Sequence, residues 1–453
     1  MAQQQNHIFY KWGGGVEPDL PRVDHATDEF LVTESGEELV DAAAGAAVTN
    51  LGHSVPGIEQ IFESQSADVS YLSLSHFSHD APEQLARTLA SRSPGDLEKV
   101  FFTNSGSEAN EAAFKLAREY FRARGKTEKS VVVSRWQSYH GATFGALSAT
   151  GNTLRRRGFE PYLTDWEHIS PAYPYRWSFD GTDEEQARAA ARELETTIRQ
   201  RGPETVAAFV AEPVGGASIP AAAPHPAYYE EIRAICDEYD VLFIADEVMT
   251  GFGRTGPLFA MERYGVTPDM MTLGKGLTGG YTPMSAVLVS DAVADEFARD
   301  DVSFAHGHTF AGNPLSAAVA NFVVEQYTDG VLERGRARGA QLASELDALR
   351  DHPMVGDFRA VGPMVGLEFV ADRASKAPFD PELKVYEQVY DAALDRGVYT
   401  YPGRGSVDGV AGDHLMLAPP LTLSKASVSR IATAVEAAVE AVYDRVSRAT
   451  TAR

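Results

Sequence analysis

The sequence has a single cysteine, Cys236, among its 453 residues. One thiol cannot close a disulfide within the chain and cannot supply a set of thiolate ligands to a metal ion. Long apolar runs are also missing, since stretches such as residues 241–245 are far shorter than the roughly 20 residues that span a bilayer. Residues 1–10 have no basic region followed by an apolar stretch, so they predict no secretory signal. We therefore expect a cytoplasmic protein without a membrane span.

Basic residues are scarce relative to acidic ones. Lys and Arg total 40 against 64 Asp and Glu, which gives a formal net charge of −24. This charge repels the phosphate backbone of nucleic acids and anionic membrane surfaces, so we expect no nucleic-acid partner. With 44% hydrophobic residues, the chain has enough apolar side chains for one large core or two, which excludes disorder as its main state.

The middle of the chain alternates short apolar segments with segments of helical periodicity. Strands are predicted at residues 99–103, 130–134, 206–211, 241–245, 270–273 and 285–289. Residues 109–124 repeat apolar side chains every three or four positions, which predicts an amphipathic crossover helix that Gly125 ends. This alternation is typical of an α/β fold with a mostly parallel sheet between helices.

The two ends of the chain differ from the middle. The stretch up to residue 57 is rich in turns, and from about residue 331 long helices surround short strands such as residues 364–370. We therefore predict an N-terminal segment at residues 1–65, a large α/β domain at residues 66–330, and a smaller domain built from residues 331–453 together with the N-terminal segment. The last helix is expected at about residues 426–446.

Ser105, Gly106 and Ser107 follow a predicted strand and open the crossover helix. Free backbone N–H groups at a helix N-terminus, the helix dipole and a hydroxyl can hold a phosphate without a lysine. An ordinary capped turn has the same residues, so this segment alone leaves phosphate binding and simple capping open.

Asp246 comes directly after the apolar strand predicted at residues 241–245. A carboxylate at a buried strand end needs a cation or hydrogen-bond donors, because an unpaired buried charge is unstable. Two kinds of partner are possible. One is a structural group, either an arginine or a helix end, and the other is the protonated ring nitrogen of a bound heterocycle.

Lys275 lies between Gly274 and Gly276, directly after the strand predicted at residues 270–273. Burial there would lower the pKa of the amine and make it a nucleophile for Schiff-base formation. A solvated loop lysine is the alternative.

Two further motifs are poor indicators of function. Residues 251–256 match the G-x-G-x-x-G string of dinucleotide-binding proteins, but they lie beyond the strand end and Pro257 follows them. A nucleotide-dependent oxidoreductase is therefore a remote alternative. His306 and His308 have no acidic or histidine partner at ligand spacing, so we predict no metal site.

Taken in order, these motifs resemble those of the class III aminotransferases, the ω-amino-acid branch of the fold type I enzymes that depend on pyridoxal 5′-phosphate (PLP). The motifs are Ser-Gly-Ser at 105–107, Ser-Tyr-His-Gly at 138–141, Ala-Glu-Pro-Val at 211–214, Asp-Glu at 246–247, Gly-Lys-Gly at 274–276, Gly-Tyr-Thr-Pro at 280–283 and Thr-Phe-Ala-Gly-Asn-Pro at 309–314. The resemblance covers nearly the whole chain. It implies a mostly parallel seven-stranded sheet between helices, a smaller α+β domain, and a homodimer.

The resemblance also implies roles for the matching residues. Lys275 would form the Schiff base with PLP and act as the proton-transfer base, and Asp246 would pair with the protonated pyridine nitrogen. The other implied cofactor contacts are Gly106 and Ser107 at the phosphate, Tyr139, Glu212 and Val248 around the ring, and Thr309 at the phosphate bound by the neighbouring subunit.

Arg404 lies in a glycine-containing segment that is similar to the part of the family that presents an arginine to a substrate carboxylate. A guanidinium is always charged and binds a carboxylate through two parallel hydrogen bonds. An arginine in a surface turn is the alternative.

The function implied by the resemblance is transamination between an ω-amine or ω-amino acid and a 2-oxo acid, pyruvate or 2-oxoglutarate, by a ping-pong mechanism. An aminomutase or a decarboxylating transaminase would use the same Lys275 and Asp246, and the order of the motifs does not separate them. A non-catalytic relative that keeps the fold as an interaction module is opposed by the presence of both residues.

The charged residues also raise the hypothesis of adaptation to a high-salt cytosol, with an ordinary acidic enzyme as the alternative. Nine lysines stand against 31 arginines, and acidic residues dominate both. Counterions screen the repulsion among dense surface carboxylates, so we expect activity to be higher at molar KCl than at low salt. A titration of activity against KCl concentration measures this effect, and best function at low salt would remove the hypothesis.

Overall fold

The computed structural model describes residues 7–10, 20–299 and 301–451. Residues 1–6, part of the stretch for which no secretory signal is predicted, lie outside the described residues. The strands are β1 Val23–Thr27, β2 Phe30–Thr33, β3 Glu38–Asp41, β4 Lys99–Thr103, β5 Val131–Arg135, β6 Glu167–Ile169, β7 Val206–Ala211, β8 Leu242–Asp246, β9 Met270–Leu273, β10 Ser285–Val289, β11 Val355–Val361, β12 Met364–Phe369, β13 Val398–Tyr399, β14 Tyr401–Arg404 and β15 Asp413–Leu417.

The helices are α1 Ala44–Ala47, α2 Ile58–Asp68, α3 Asp80–Arg92, α4 Gly106–Ala123, α5 Phe144–Ala149, α6 Thr153–Arg156, α7 Asp183–Arg201, α8 Ala227–Glu238, α9 Asp291–Ala294, α10 Pro314–Gln326, α11 Leu332–Glu345, α12 Val385–Leu394 and α13 Lys425–Thr451. None of the helices in the described ranges combines the length and the apolarity that crossing a membrane requires.

A seven-stranded sheet with the order β4-β10-β9-β8-β7-β5-β6 lies at the centre of the fold. All neighbouring strands from β9 to β6 pair in parallel, whereas β10 is antiparallel to both β4 and β9. The predicted mostly parallel sheet between helices is therefore confirmed. Four of the six predicted strands have the predicted limits, and the two that become β5 and β8 begin and end one residue later.

The two faces of this sheet carry separate apolar cores because successive side chains of a strand point in opposite directions. Phe209 and Phe243 face the side covered by α7 and α8, whereas Val210 and Ile244 face α4. All four side chains are fully buried, as expected for strands with helices on both faces.

Helix α4 is the predicted crossover helix, and it begins three residues earlier than predicted. Its start is fixed by Ser105, whose hydroxyl accepts a hydrogen bond from the backbone N–H of Glu108 at 3.3 Å. Past its end at Ala123, Gly125 adopts φ +75°, the left-handed conformation common after helix C-termini. The early start places the free N–H groups of the first turn directly at the end of β4.

Two four-stranded sheets, β1-β2-β3-β13 and β11-β12-β15-β14, lie outside the central sheet. Strand β3 pairs in parallel with β13, so the N-terminal strands join a C-terminal strand. A further apolar core combines Val40 of β3 with side chains of β11, β12, β15, α12 and α13. Helix α13 contains the last helix predicted from the sequence. The division into residues 1–65, 66–330 and 331–453 stays a prediction.

Candidate active site

A cavity of about 510 Å³ opens where the strands of the central sheet end. Its lining includes residues at or shortly after the carboxyl ends of β4, β5, β7, β8 and β9, where ligands bind in open α/β sheets. Seven of the residues predicted to form the site line this cavity: Gly106, Ser107, Tyr139, Glu212, Asp246, Val248 and Lys275.

Asp246, the last residue of β8, is 3% exposed and accepts hydrogen bonds at both carboxylate oxygens. Oδ2 lies 2.8 Å from the Asn110 side-chain nitrogen and 2.7 Å from His140 Nδ1. Oδ1 lies 3.2 Å from the Thr272 hydroxyl and 3.1 Å from the backbone nitrogen of Val248. The sequence left an arginine open as a structural partner of Asp246. No arginine of the described residues forms an ion pair with this carboxylate. It is held by neutral donors and by His140.

His140 is buried and held at several points. The Asn110 side chain donates to its carbonyl oxygen at 2.7 Å, and its own backbone N–H donates to the Thr150 hydroxyl at 2.9 Å. Its Nδ1 faces Asp246, and no group of the described chain is within hydrogen-bond distance of its Nε2. This arrangement fixes the orientation of the Asp246 carboxylate.

Three residues of this network, Asn110, His140 and Thr272, are absent from the predicted site. Asn110 lies four positions after Gly106, a spacing that puts two helical side chains on the same face, and this spacing is a usable signal. His140 follows Tyr139 within a motif already recognised, which is a second signal. Thr272 is an ordinary strand residue by its sequence, and only the pairing of β8 with β9 brings it to Asp246.

Lys275 follows β9 in a short 3₁₀ turn and has φ +46°, a left-handed conformation that is unfavourable for a residue with a side chain. The glycines on each side permit this turn. A Cβ on Gly274 would lie 2.8 Å from the Ser285 hydroxyl, and one on Gly276 would lie 2.6 Å from the Asn50 side-chain nitrogen. The close packing of the turn therefore fixes the position of the lysine against the cavity.

Burial lowers the pKa of the Lys275 amine to about 8. The negative charges of Asp246 and Glu212 act in the opposite direction, and the positive charges of Arg254 and Arg155 lower the pKa further. The alternative of a solvated loop lysine does not fit this environment. A large fraction of the amine is neutral near pH 8 and can act as a nucleophile or a base.

Glu212 is buried behind Tyr139. Its carboxylate accepts hydrogen bonds from the backbone N–H groups of Tyr139 and Gly216, both at 3.2 Å, and burial raises its pKa. The half-buried ring of Tyr139 forms part of the cavity wall, and burial also raises the pKa of its hydroxyl. Glu212 thus holds the backbone that presents this aromatic ring.

The N-terminus of α4 forms the other end of the cavity. A Cβ on Gly106 would lie 2.6 Å from Val248 Cγ1, so only glycine allows this approach. The Ser107 hydroxyl accepts a hydrogen bond from the backbone N–H of Ala142 at 3.1 Å. A Cβ on Gly141, at φ +144°, would lie 2.5 Å from that hydroxyl. The free N–H groups of an 18-residue helix therefore face a tight, glycine-lined pocket.

Thr309 and Arg404 are the predicted site residues that the structure does not bring to the cavity of their own chain. Thr309 is exposed and is not part of the cavity wall. Arg404 ends β14, in which alternate side chains point to opposite faces. Tyr401, on one face, packs against an apolar cluster that includes Met249 of the cavity wall. Arg404 lies on the opposite face, with its guanidinium 5.8 Å from the centre of the Tyr386 ring.

Residues of the two motifs judged poor indicators of function make contacts within the chain. Arg254, within residues 251–256, is fully buried and donates to the carbonyl of Pro419 and to the side-chain oxygen of Asn50. His306 Nδ1 lies 2.9 Å from the Lys115 amine. Within the described part of the chain, no group of three or more His, Cys, Asp or Glu side chains is placed to hold a metal ion.

Comparison with known proteins gives a consistent result. The family model described as Aminotransferase class-III matches residues 15–439. The chain is 38% identical to the uncharacterised aminotransferase YodT of Bacillus subtilis (strain 168), over 94% of this chain and 97% of that protein. It is similar to a thermostable (S)-enantioselective omega-transaminase from Thermomicrobium roseum, with a TM-score of 0.88 and 36% identity over 93% of both chains. An omega-transaminase from Pseudomonas jessenii in complex with PMP has a TM-score of 0.88 and 33% identity over 94% of both chains.

The lowered pKa of Lys275 predicts how fast this amine reacts with an acylating reagent in protein stripped of bound small molecules. Below its pKa, the neutral fraction of an amine falls about tenfold for each pH unit. We therefore expect the labelling rate of Lys275 to rise up to about pH 8 and then level off. Peptide mass spectrometry after short exposures measures this rate, with exposed Lys99 as the internal comparison. A rate that keeps rising steeply to about pH 10 would contradict the assigned effect of burial.

Proposed function

The chain belongs to the class III aminotransferase family and has the fold type I architecture, and from this premise we propose that it is an ω-transaminase that uses PLP. It would transfer an amino group between an ω-amine or ω-amino acid and a 2-oxo acid, pyruvate or 2-oxoglutarate, by a ping-pong mechanism. The observation that carries the proposal is that Lys275, with its lowered pKa, and the buried carboxylate of Asp246 line one cavity together with the N-terminus of α4.

The residues present fit PLP at three points. The glycine-lined N-terminus of α4, with Gly106 and Ser107, suits a phosphate group. Tyr139 offers an aromatic face in the cavity wall, where a stacked ring contributes about 0.5–1.5 kcal/mol. Asp246 is a buried carboxylate that suits a protonated pyridine nitrogen. When bound, PLP supplies an electron sink for the carbanion that forms at the substrate carbon.

The chain's own residues would then have separate roles in the reaction. Lys275 would hold the cofactor and, in its neutral form, take the proton from the donor carbon and deliver it to the cofactor. The negative charge of Asp246 would keep the proton on the ring nitrogen, and His140 and Asn110 would hold its carboxylate in place. Glu212 and Val248 would border the ring.

The same Lys275 and Asp246 would also serve an aminomutase or a decarboxylating transaminase. The similarity to omega-transaminases over more than nine-tenths of the chain supports transamination. Nothing in the cavity favours nucleotide binding by residues 251–256, since Arg254 in this segment is buried in the core.

Substitution of the two central residues tests the proposal. We expect Asp246→Asn to lower kcat/KM by about 10²–10⁴-fold, because the ring nitrogen would lose the charge that keeps it protonated. Lys275→Ala should abolish turnover, the visible absorbance of the bound cofactor, and the borohydride-stable adduct on the peptide that contains residue 275. Asp237→Asn, at an exposed position on α8, is the matched control. Turnover of an amine donor by Lys275→Ala would show that the catalytic assignment is wrong.

We further propose a homodimer in which Thr309 completes the phosphate site of the neighbouring subunit. Thr309 is exposed, and the adjacent Phe310 is 61% exposed, with its ring 5.9 Å from that of Tyr71. Phe77 is another large apolar side chain left exposed, at 69%. An exposed apolar contact such as that of Tyr71 with Phe310 supports a protein interface where it belongs to a contiguous patch.

Hybrid dimers test whether Thr309 acts in the neighbouring subunit. Thr309→Val homodimers should bind PLP about tenfold more weakly, since the phosphate loses one hydrogen bond. In a hybrid of a Thr309→Val chain and a Lys275→Ala chain, the subunit with intact Lys275 receives an intact Thr309 from its partner, so its affinity for PLP should return to that of the wild type. Equilibrium titration of purified hybrids measures this affinity. A hybrid that stays as weak as the Thr309→Val homodimer would place Thr309 in its own subunit's site.

A further inference from the structure

Arg254 is a fully buried cation that pairs with no carboxylate of the described residues. One of its terminal nitrogens donates to the carbonyl of Pro419 at 2.7 Å, and the other donates to the side-chain oxygen of Asn50. Its Nε has no hydrogen-bond partner in the described part of the chain. Removing a charge from water is unfavourable unless an opposite charge compensates it. A buried cation held only by neutral acceptors is therefore a candidate for a role in function.

The groups around Arg254 leave it protonated. Burial lowers the pKa of its guanidinium to about 10, and the negative charges of Tyr327 and Asp41 act in the opposite direction. Burial raises the pKa of the Tyr327 hydroxyl, so this group is neutral near pH 8. Asp41, on β3, is held by His53, whose Nε2 lies 3.1 Å from its Oδ2. Arg254 is therefore positive at the pH, about 8, near which Lys275 titrates.

One side chain, that of Asn50, separates Arg254 from the turn that carries Lys275. Its oxygen accepts from the guanidinium, and its nitrogen donates to the carbonyl of Phe252 at 3.0 Å. The same nitrogen lies against Gly276, where a Cβ would approach it to 2.6 Å. The buried charge is thus one side chain away from the residue that follows Lys275.

The turn is held from a second direction as well. Lys275 has φ +46°, and strain of this kind persists only where the surrounding structure fixes it. The hydroxyl of Tyr327, the residue after α10, donates to the carbonyl of Gly276 at 2.6 Å. Asn50 and Tyr327 therefore contact the same glycine from two distant parts of the chain, and together they fix the turn relative to Arg254.

Four charged groups act on the Lys275 amine, two that favour its protonated form and two that favour its neutral form: Asp246 and Glu212, and Arg254 and Arg155 respectively. The two arginines differ in their contact with water. Arg155 is partly exposed, with its guanidinium carbon 4.6 Å from the centre of the Tyr139 ring, so solvent and salt screen its charge. Arg254 is away from water, where charges are screened much less.

We propose that Arg254 is a fixed buried cation that keeps the Lys275 amine neutral and reactive, and that Asn50 and Tyr327 hold the two groups at a constant separation. A neighbouring cation disfavours the ammonium form of a lysine and so activates it as a nucleophile. The inference rests on the proposed function for the use of that neutral amine. Arg254 does not line the cavity, so it acts on the reaction through Lys275 and not on the substrate.

Acylation of Lys275 in full-length protein stripped of bound small molecules tests this effect. In Arg254→Met, which keeps a long side chain and removes the charge, the pH at which labelling levels off should rise by about 0.5–1 pH unit. Asn50→Asp should raise it at least as much, because a carboxylate of the same shape pairs with Arg254 and compensates its charge. Peptide mass spectrometry after short exposures over a series of pH values measures the shift.

Two further variants separate the charge from the packing. Tyr327→Phe removes the hydrogen bond to the Lys275 turn without changing a charge, and Arg263→Met removes an exposed cation of a neighbouring segment. Both should stay within about 0.2 pH unit of the wild type. A shift in Tyr327→Phe as large as that in Arg254→Met would assign the effect to packing and overturn the proposal, as would an unshifted pH in Arg254→Met. If Arg254→Met does not fold, an unshifted pH in Asn50→Asp overturns it.

The PLP-loaded protein provides a second readout that does not depend on turnover. The pH dependence of its visible absorbance should move to higher pH in Arg254→Met and Asn50→Asp, but not in Tyr327→Phe, because the Lys275 nitrogen keeps the same charged neighbours. A protein that shows the labelling shift but transaminates no amine would contradict the proposed function and keep this inference. A protein that transaminates, with no labelling shift in Arg254→Met, would keep the function and remove the inference.

Discussion

The solvation of one carboxylate constrains the whole site. Asp246 is almost fully buried, and removing such a charge from water is unfavourable by several kcal/mol unless hydrogen bonds replace the water. The replacements come from separate parts of the chain: Asn110 from α4, His140 from the segment after β5, and Thr272 from β9. The carboxylate is therefore stabilised only when α4, the segment after β5 and strand β9 all lie in their observed positions beside β8.

The sequence predicts the central sheet well because its strands are buried on both faces. Residues 206–211, for example, are apolar throughout and become β7 with the predicted limits. The start of α4 is harder to predict from the sequence. The apolar periodicity begins only where side chains reach the core, whereas the helix itself begins earlier because Ser105 caps it. β6, of three residues at the sheet edge, has no apolar run to reveal it, and the reversed direction of β10 depends on its neighbours and not on its own residues.

The residues that follow the strands are the part of the site that sequence motifs reveal. Lys275 and Asp246 stand out because a charged residue directly after an apolar strand is unusual, and both line the cavity. Arg404 also has a recognisable setting, but the alternation of side chains along β14 turns it from the cavity, and the paired sheet, not the motif, determines that direction. The contact between Arg155 and Tyr139 joins segments whose relation depends on the path of the chain after α5, which no local pattern encodes.

The pairing of β4 with β10 has a consequence for how the protein reaches its working state. The N-terminus of α4 follows β4 early in the chain, whereas Lys275 and β10 come long after it, so the cavity exists only when contacts of large sequence separation have formed. Such contacts form slowly because a long loop must first close, with a loss of chain entropy, before the contacts stabilise the fold. A ligand that touches both ends of the cavity binds only the completed sheet and stabilises it by mass action. Such a ligand would therefore shift the folding equilibrium towards the completed sheet, and this shift would grow with its free concentration.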